Sequence, residues 1–149
     1  MTKRILFVCL GNICRSPTAE IVLRAKAAEA GLHLEVDSAG TGDWHIGEPP
    51  HPPMIEAARA RGYDMSTLRA RQVGGVDFDR FDLILVADET NLRDVEALRP
   101  AGDTTPVELF APYAGGDERS IPDPYYTGDF GGALLLVERA AKGLVAQLQ

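Results

Sequence analysis

Cysteine is scarce in this chain, and the scarcity is informative. Only Cys9 and Cys14 occur among 149 residues, both in one short stretch, which is no disulfide framework for a small secreted domain. Histidine is nearly as rare. His33, His45 and His51 show no metal-ligand spacing, so surface roles are expected for them, with no metal and no cofactor. Long apolar runs are missing, which excludes a membrane span and predicts no membrane insertion. The apolar run after Met1-Thr2-Lys3-Arg4 is too short for a signal peptide, and a cytoplasmic, reducing setting is expected. Positive charge is in deficit: 15 Lys and Arg against 22 Asp and Glu, a net charge of −7. Binding a nucleic-acid backbone needs a basic face, so nucleic acid is excluded as a partner. A small anion held by local groups is not, because the charge of a site and of a whole chain can differ in sign. No repeat, linker or second domain interrupts the sequence, and its length supports a core without staples. One domain spanning residues 1–149 is expected, as a monomer or weak homodimer.

What is present centres on Val8-Cys9-Leu10-Gly11-Asn12-Ile13-Cys14-Arg15-Ser16-Pro17. The apolar run Arg4–Val8 before it reads as a buried strand. Ser16-Pro17 reads as an N-cap followed by proline at the first helical position. Ala19, Val22, Leu23, Ala27 and Ala30 then recur at helical spacing up to Gly31. A strand thus runs through a tight loop into a helix. The N–H groups of such a loop (Leu10, Gly11, Asn12, Ile13, Cys14, Arg15, Ser16) and the open first helical turn form an anion cradle. Gly11 and Asn12 tolerate the left-handed backbone that curling around an oxyanion requires. Arg15 adds a planar fork for two phosphate oxygens. At the floor of that cradle Cys9 is set up as a thiolate nucleophile, so the stretch predicts covalent phosphoryl transfer. Ser16, hydrogen-bonding to the sulfur, would favour the thiolate and ease its departure.

Further along, Leu32–Ser38 alternates strictly and suits an edge strand, whereas Leu83–Ala87 is continuously apolar and suits a central one. Thr105–Phe110 is the last strand candidate. Helices are expected over Met54–Arg61, Thr90–Arg99 and Leu134–Leu148, while within the unassigned stretch Met65–Gly75 the residues Ala70-Arg71-Gln72-Val73 fit either a short strand-like link or a turn of helix. Ala111–Gly132 has little apolar periodicity and reads as one long loop. Alternating strands and helices predict an α/β fold, a three-layer α/β/α sandwich with a central, mainly four-stranded parallel sheet. Ligands of such sheets sit beyond the carboxyl ends of the strands, where the cysteine loop lies.

That long loop contains Pro122-Asp123-Pro124-Tyr125-Tyr126. Two prolines restrict the backbone around Asp123, which would protonate a leaving oxygen and later take a proton from water. An Asp-Pro pair is also an ordinary turn initiator. The spacing of Cys9, Arg15 and Ser16 marks cysteine-dependent phosphatases, and the ten-residue string 8–17 resembles the low-molecular-weight protein tyrosine phosphatases. Ser38-Ala39-Gly40-Thr41 with Trp44, Ala70-Arg71-Gln72, and Asp88-Glu89-Thr90-Asn91-Leu92-Arg93 extend the resemblance over the whole chain. It implies Cys9 as nucleophile, Arg15 as phosphate ligand and Asp123 as general acid/base. It further implies a metal-independent phosphoric monoester hydrolase acting on phosphotyrosine-bearing proteins or aryl phosphates.

In that reading Tyr125 and Tyr126 line the cleft mouth and Leu10 packs under the substrate ring. Trp44 either walls the slot or anchors its loop in the core, and the two tyrosines also suit a docking surface. Relatives pair Cys9 reversibly with Cys14 under oxidation; a packed, inert Cys14 is the alternative. Many members carry a histidine where Leu68 stands here, which leaves Ser38 or Ser66 to brace Asn12. Three rivals share parts of the pattern. An arsenate reductase would need cysteines downstream of Cys14, and there are none. A phosphocysteine carrier would not require both Arg15 and a distant acid, and a phosphopeptide-binding module would not need an intact catalytic set.

Overall fold

A computed structural model describes residues 2–149. Strand β1 is Lys3–Cys9, followed by helix α1 (Arg15–Glu29), β2 (Leu34–Gly40), α2 (Pro52–Ala60) and α3 (Asp77–Arg80). Then come β3 (Leu83–Val86), α4 (Glu89–Glu96), β4 (Val107–Leu109), a 3₁₀ turn at Ala111–Ala114, α5 (Pro124–Thr127) and α6 (Phe130–Leu148). The four strands form one sheet in the order β2-β1-β3-β4, every pair parallel. This is the α/β/α sandwich with a four-stranded parallel sheet that the alternation predicts.

The central strands are continuously apolar from Ile5 in β1 and over all of β3, because both faces are covered there. Ile5, Phe7 and Cys9 of β1 face one layer and pack with Val22 and Leu23 of α1 and Leu134, Val137 and Leu144 of α6. Leu6 and Val8 face the other, against Phe78, Val95, Ile84 and Val86. Strand β2 lies at the edge, as its alternation indicates, and keeps Glu35 in solvent. No helix of the described residues is long and apolar enough to cross a membrane.

Local boundaries shift by one to three residues at several elements, as where α4 ends at Glu96, and two differences matter more. The segment 111–132 is not one continuous loop, and α6 starts at Phe130 rather than Leu134. The Asp129 side chain caps α6 by accepting from Gly132 N at 2.8 Å, and Gly131-Gly132 in the first turn conceals the helical pattern. Helix α1 starts at Arg15, with Cys14 as the capping residue and no side-chain cap. Ser16 is therefore inside the helix. Pro17 falls in the first turn, where a missing N–H forfeits no helical bond.

Candidate active site

Parallel pairing brings the carboxyl ends of all four strands to one side, and the loops that leave them converge there. Between Cys9 and α1 the chain folds into a tight loop that includes Asn12 in the left-handed region, φ 57°. The carbonyls of Cys9, Leu10 and Ile13 accept from the N–H groups of Thr41, Gly42 and His51 at 2.9, 2.9 and 2.8 Å. Those acceptors are thereby committed outside the loop. Among the described residues, no loop-type backbone bond uses the N–H of Gly11, Asn12, Ile13 or Cys14. This is the pattern of an anion-binding nest. Gly40, at the end of β2, lies so close that a Cβ there would fall 2.7 Å from Leu10 O and 3.1 Å from Asn12 N. Only glycine lets the loop rest on the strand.

The loop is fixed from beneath by a buried polar chain. Cys9 Sγ lies 3.0 Å from Ser16 Oγ. Asn12 Nδ2 donates to Ser16 Oγ at 2.8 Å and to Ser38 Oγ at 3.0 Å, and its Oδ1 accepts from Arg71 N at 3.0 Å. Ser38 in turn donates to the Glu20 carboxylate at 2.6 Å, and Glu20 pairs with Arg24. Ser38 is thus the brace that Leu68 leaves to another residue; Ser66 bonds Asp64 instead. Burial pushes the Glu20 carboxyl above its ordinary range, opposed by Ser38 and Arg24. Glu20 escapes sequence reading because it sits on the apolar side of an otherwise ordinary helical pattern.

Arg15 is buried, 5 % exposed, and is held mainly through one of its terminal nitrogens. Its Nη1 donates to Asp88 Oδ2 at 2.8 Å and to Ile121 O at 2.9 Å, while Nη2 lies 3.5 Å from Asp123 Oδ2. Burial disfavours its charge, but Cys9, Asp88 and Asp123 outweigh that and raise the guanidinium pKa. Asp88 was visible in the sequence only as part of a resembling stretch. It follows the central strand β3, and its other oxygen caps α4 by accepting from Asn91 N at 2.8 Å. Asparagine keeps such a cap but removes the charge that aims Arg15. Asp88→Asn is therefore expected to lower the unfolding midpoint, because the buried guanidinium loses one of the charges that offset its burial. It should lower kcat/KM for aryl phosphates about tenfold, near the lower end of a charged hydrogen bond's worth, in steady-state assays.

Asp123 caps α5, its Oδ1 accepting from Tyr125 N at 3.1 Å, and its other oxygen turns toward Arg15. A cavity of about 200 Å³ brings together Cys9, Leu10, Arg15, Trp44, Asp123, Tyr125 and Tyr126, with Gly11, Ile13 and Cys14 in its wall. Trp44 is 66 % exposed and lines this cavity; it is not a core anchor. His45 lines it too, a residue that sequence reading assigns only to the surface. Tyr125 and Tyr126 meet edge to face at 5.3 Å, and the His51 ring lies 5.2 Å from that of Tyr125.

Cys14 is buried in the same wall. Burial pushes its thiol up to about 12, with the nearby Cys9 and Asp123 adding to the shift. An unfolded chain releases that proton near the ordinary value of 9.0, so between about 9 and 12 the native state holds more protons than the unfolded one. Stability from this group is complete below about pH 9 and is lost as pH rises, by up to about 1.4 kcal/mol per unit. Urea midpoints measured from pH 8 to 11 are expected to fall less steeply in Cys14→Ala than in the unsubstituted protein.

The family model described as low molecular weight phosphotyrosine protein phosphatase matches residues 4–149. The chain is 40 % identical over 148 residues to the low molecular weight protein-tyrosine-phosphatase YfkJ of Bacillus subtilis, covering 97 % of this chain and 95 % of that one. To the human low molecular weight phosphotyrosine protein phosphatase it is 42 % identical over 132 residues, covering 86 % and 83 %. The crystal structure of YfkJ superposes with a TM-score of 0.94 at 39 % identity, covering all of this chain and 96 % of that one.

Proposed function

The chain belongs to the low molecular weight phosphotyrosine protein phosphatase family, and we propose that its hydrolysis of phosphotyrosine in proteins runs through a cysteinyl phosphate on Cys9. In the first step the Cys9 sulfur attacks phosphorus in line while the bond to the phenolic oxygen breaks. The amides of residues 10–16 and the Arg15 guanidinium stabilise the charge on the three equatorial oxygens. Asp123 gives its proton to the departing oxygen, which becomes the tyrosine hydroxyl. In the second step water attacks the same phosphorus and Asp123 takes its proton. The sulfur–phosphorus bond breaks, and the Ser16 hydroxyl, 3.0 Å from Sγ, eases departure of the thiolate.

One observation carries this reading: Cys9, Arg15 and Asp123 line a single cavity, with the acid 3.5 Å from the guanidinium. Substrate choice follows from depth. Cys9 is 3 % exposed at the bottom of a slot walled by Trp44 and the two tyrosines, which suits a flat phenyl phosphate and keeps a short phosphoserine from reaching the sulfur. Under oxidation Cys9 and Cys14 would pair and protect the nucleophile. The deciding experiment is steady-state turnover of phosphotyrosine and phosphoserine peptides of the same sequence, with phosphate release as readout. Release from the phosphotyrosine peptide alone is expected; release from both at similar rates would overturn the depth argument, and release from neither the mechanism.

A further inference from the structure

Beside the catalytic slot lies a second cavity of about 230 Å³, bordered by Leu10, Trp44, Gln72, Val73, Asp94 and Leu98. It is close in volume to the catalytic slot, which takes one side chain of a substrate. Leu10 and Trp44 line both cavities, so the two are neighbours across a single partition. The partition is held by close packing: a Cβ on Gly42 would fall 2.0 Å from the Trp44 ring, so the indole rests directly on the backbone.

The chemistry of this side groove is two-ended. Val73 and the half-exposed Leu98 give it apolar surface, as does the exposed Trp44. Asp94 supplies a carboxylate, 44 % exposed, whose one ion-pair partner among the described residues is Arg93 at 3.9 Å, itself 77 % exposed. A pair that long and wet is weak. The Gln72 amide nitrogen is committed to Thr41 O at 3.2 Å, which leaves its carbonyl oxygen available to a guest. An aliphatic stem ending in a cation satisfies every one of these groups. The stem lies along Val73 and Leu98, the charge meets Asp94 and Gln72, and the Trp44 face adds a cation–π contact. A net charge of −7 favours the approach of such a segment.

The geometry points to this groove as a specificity subsite for an arginine or lysine side chain flanking the phosphotyrosine in the same substrate chain. The assignment rests on the phosphotyrosine phosphatase reading of the neighbouring cavity.

The test is kcat/KM for equal-length phosphotyrosine peptides in which arginine or glutamate occupies each flanking position in turn, with para-nitrophenyl phosphate as an unflanked control. At one or more of these positions arginine is expected to exceed glutamate roughly fivefold, the upper range for an exposed charge pair. In Asp94→Lys the preference at the same positions should invert, and in Asp94→Asn the ratio should fall toward one, with turnover of the control unchanged in both. An unaltered arginine-to-glutamate ratio in these variants, or equal rates for all peptides with the unsubstituted protein, overturns the subsite alone. Absence of turnover for the control and all peptides overturns the phosphatase reading, and the subsite with it.

Discussion

Cys9→Ser is expected to reduce kcat for phosphotyrosine peptides on the order of 10⁴-fold or more, the scale seen when a covalent nucleophile is removed. The substitution exchanges one atom and leaves the cradle intact. The Asn12 contacts and the Arg15 pairings do not involve the changed atom, and Ser16 Oγ meets an oxygen in place of the sulfur. What is lost is the sulfur nucleophile itself, since a serine hydroxyl without an adjacent base is a poor substitute. Inorganic phosphate should therefore still bind Cys9→Ser by calorimetry within a few-fold of the unsubstituted affinity while phosphate release stops. Persistent turnover would mean that the bond to phosphorus forms at another atom, and loss of both binding and turnover would mean that the cradle itself had been damaged.

The second large effect concerns the acid. Asparagine at position 123 retains an oxygen that can accept from Tyr125 N, so the start of α5 is kept. It cannot deliver a proton. Losing general acid catalysis typically costs 10²–10⁴-fold, but the size depends on the leaving group. Tyrosine, with a side-chain pKa of about 10, leaves poorly as phenolate; an acidic nitrophenol leaves without help. Asp123→Asn is expected to show its full loss in kcat on phosphotyrosine peptides and a clearly smaller one on para-nitrophenyl phosphate. On the latter a pre-steady-state burst of nitrophenol should appear, because the water-activating step then becomes limiting. Equal losses on both substrates without a burst would reassign the carboxylate to binding.

Much of this molecule is legible without coordinates, and the legible parts share a physical origin. Strand β3 and the Ile5–Cys9 part of β1 announce themselves because burial on both faces selects apolar residues. The loop 9–16 is visible because its requirements are local: a nucleophile, permissive backbone at Gly11 and Asn12, and a cation at the start of a helix. Features that depend on distant parts of the chain are opaque. Asp88 lies 73 positions from the arginine it aims, and nothing near it distinguishes that duty from capping α4. Ser38 and Glu20 act through a three-member polar chain that no single pattern encodes. The start of α6 was hidden for the opposite reason. Gly131 and Gly132 are weak helix formers, and the Asp129 cap with the packing of Leu134 and Val137 overrides them.

Gly40 carries a consequence for how activity arises during folding. The bend from Cys9 to Ser16 also rests on the end of β2 and on Ser38 from that same strand, so the curl needs long-range support as well as its own permissive residues. Helix α1 is free to nucleate early, yet an oxyanion would find no ordered host until the edge strand has docked beside β1. Recovery of ligand affinity after dilution from denaturant is thus expected to follow sheet closure, with the helical signal by circular dichroism returning ahead of it.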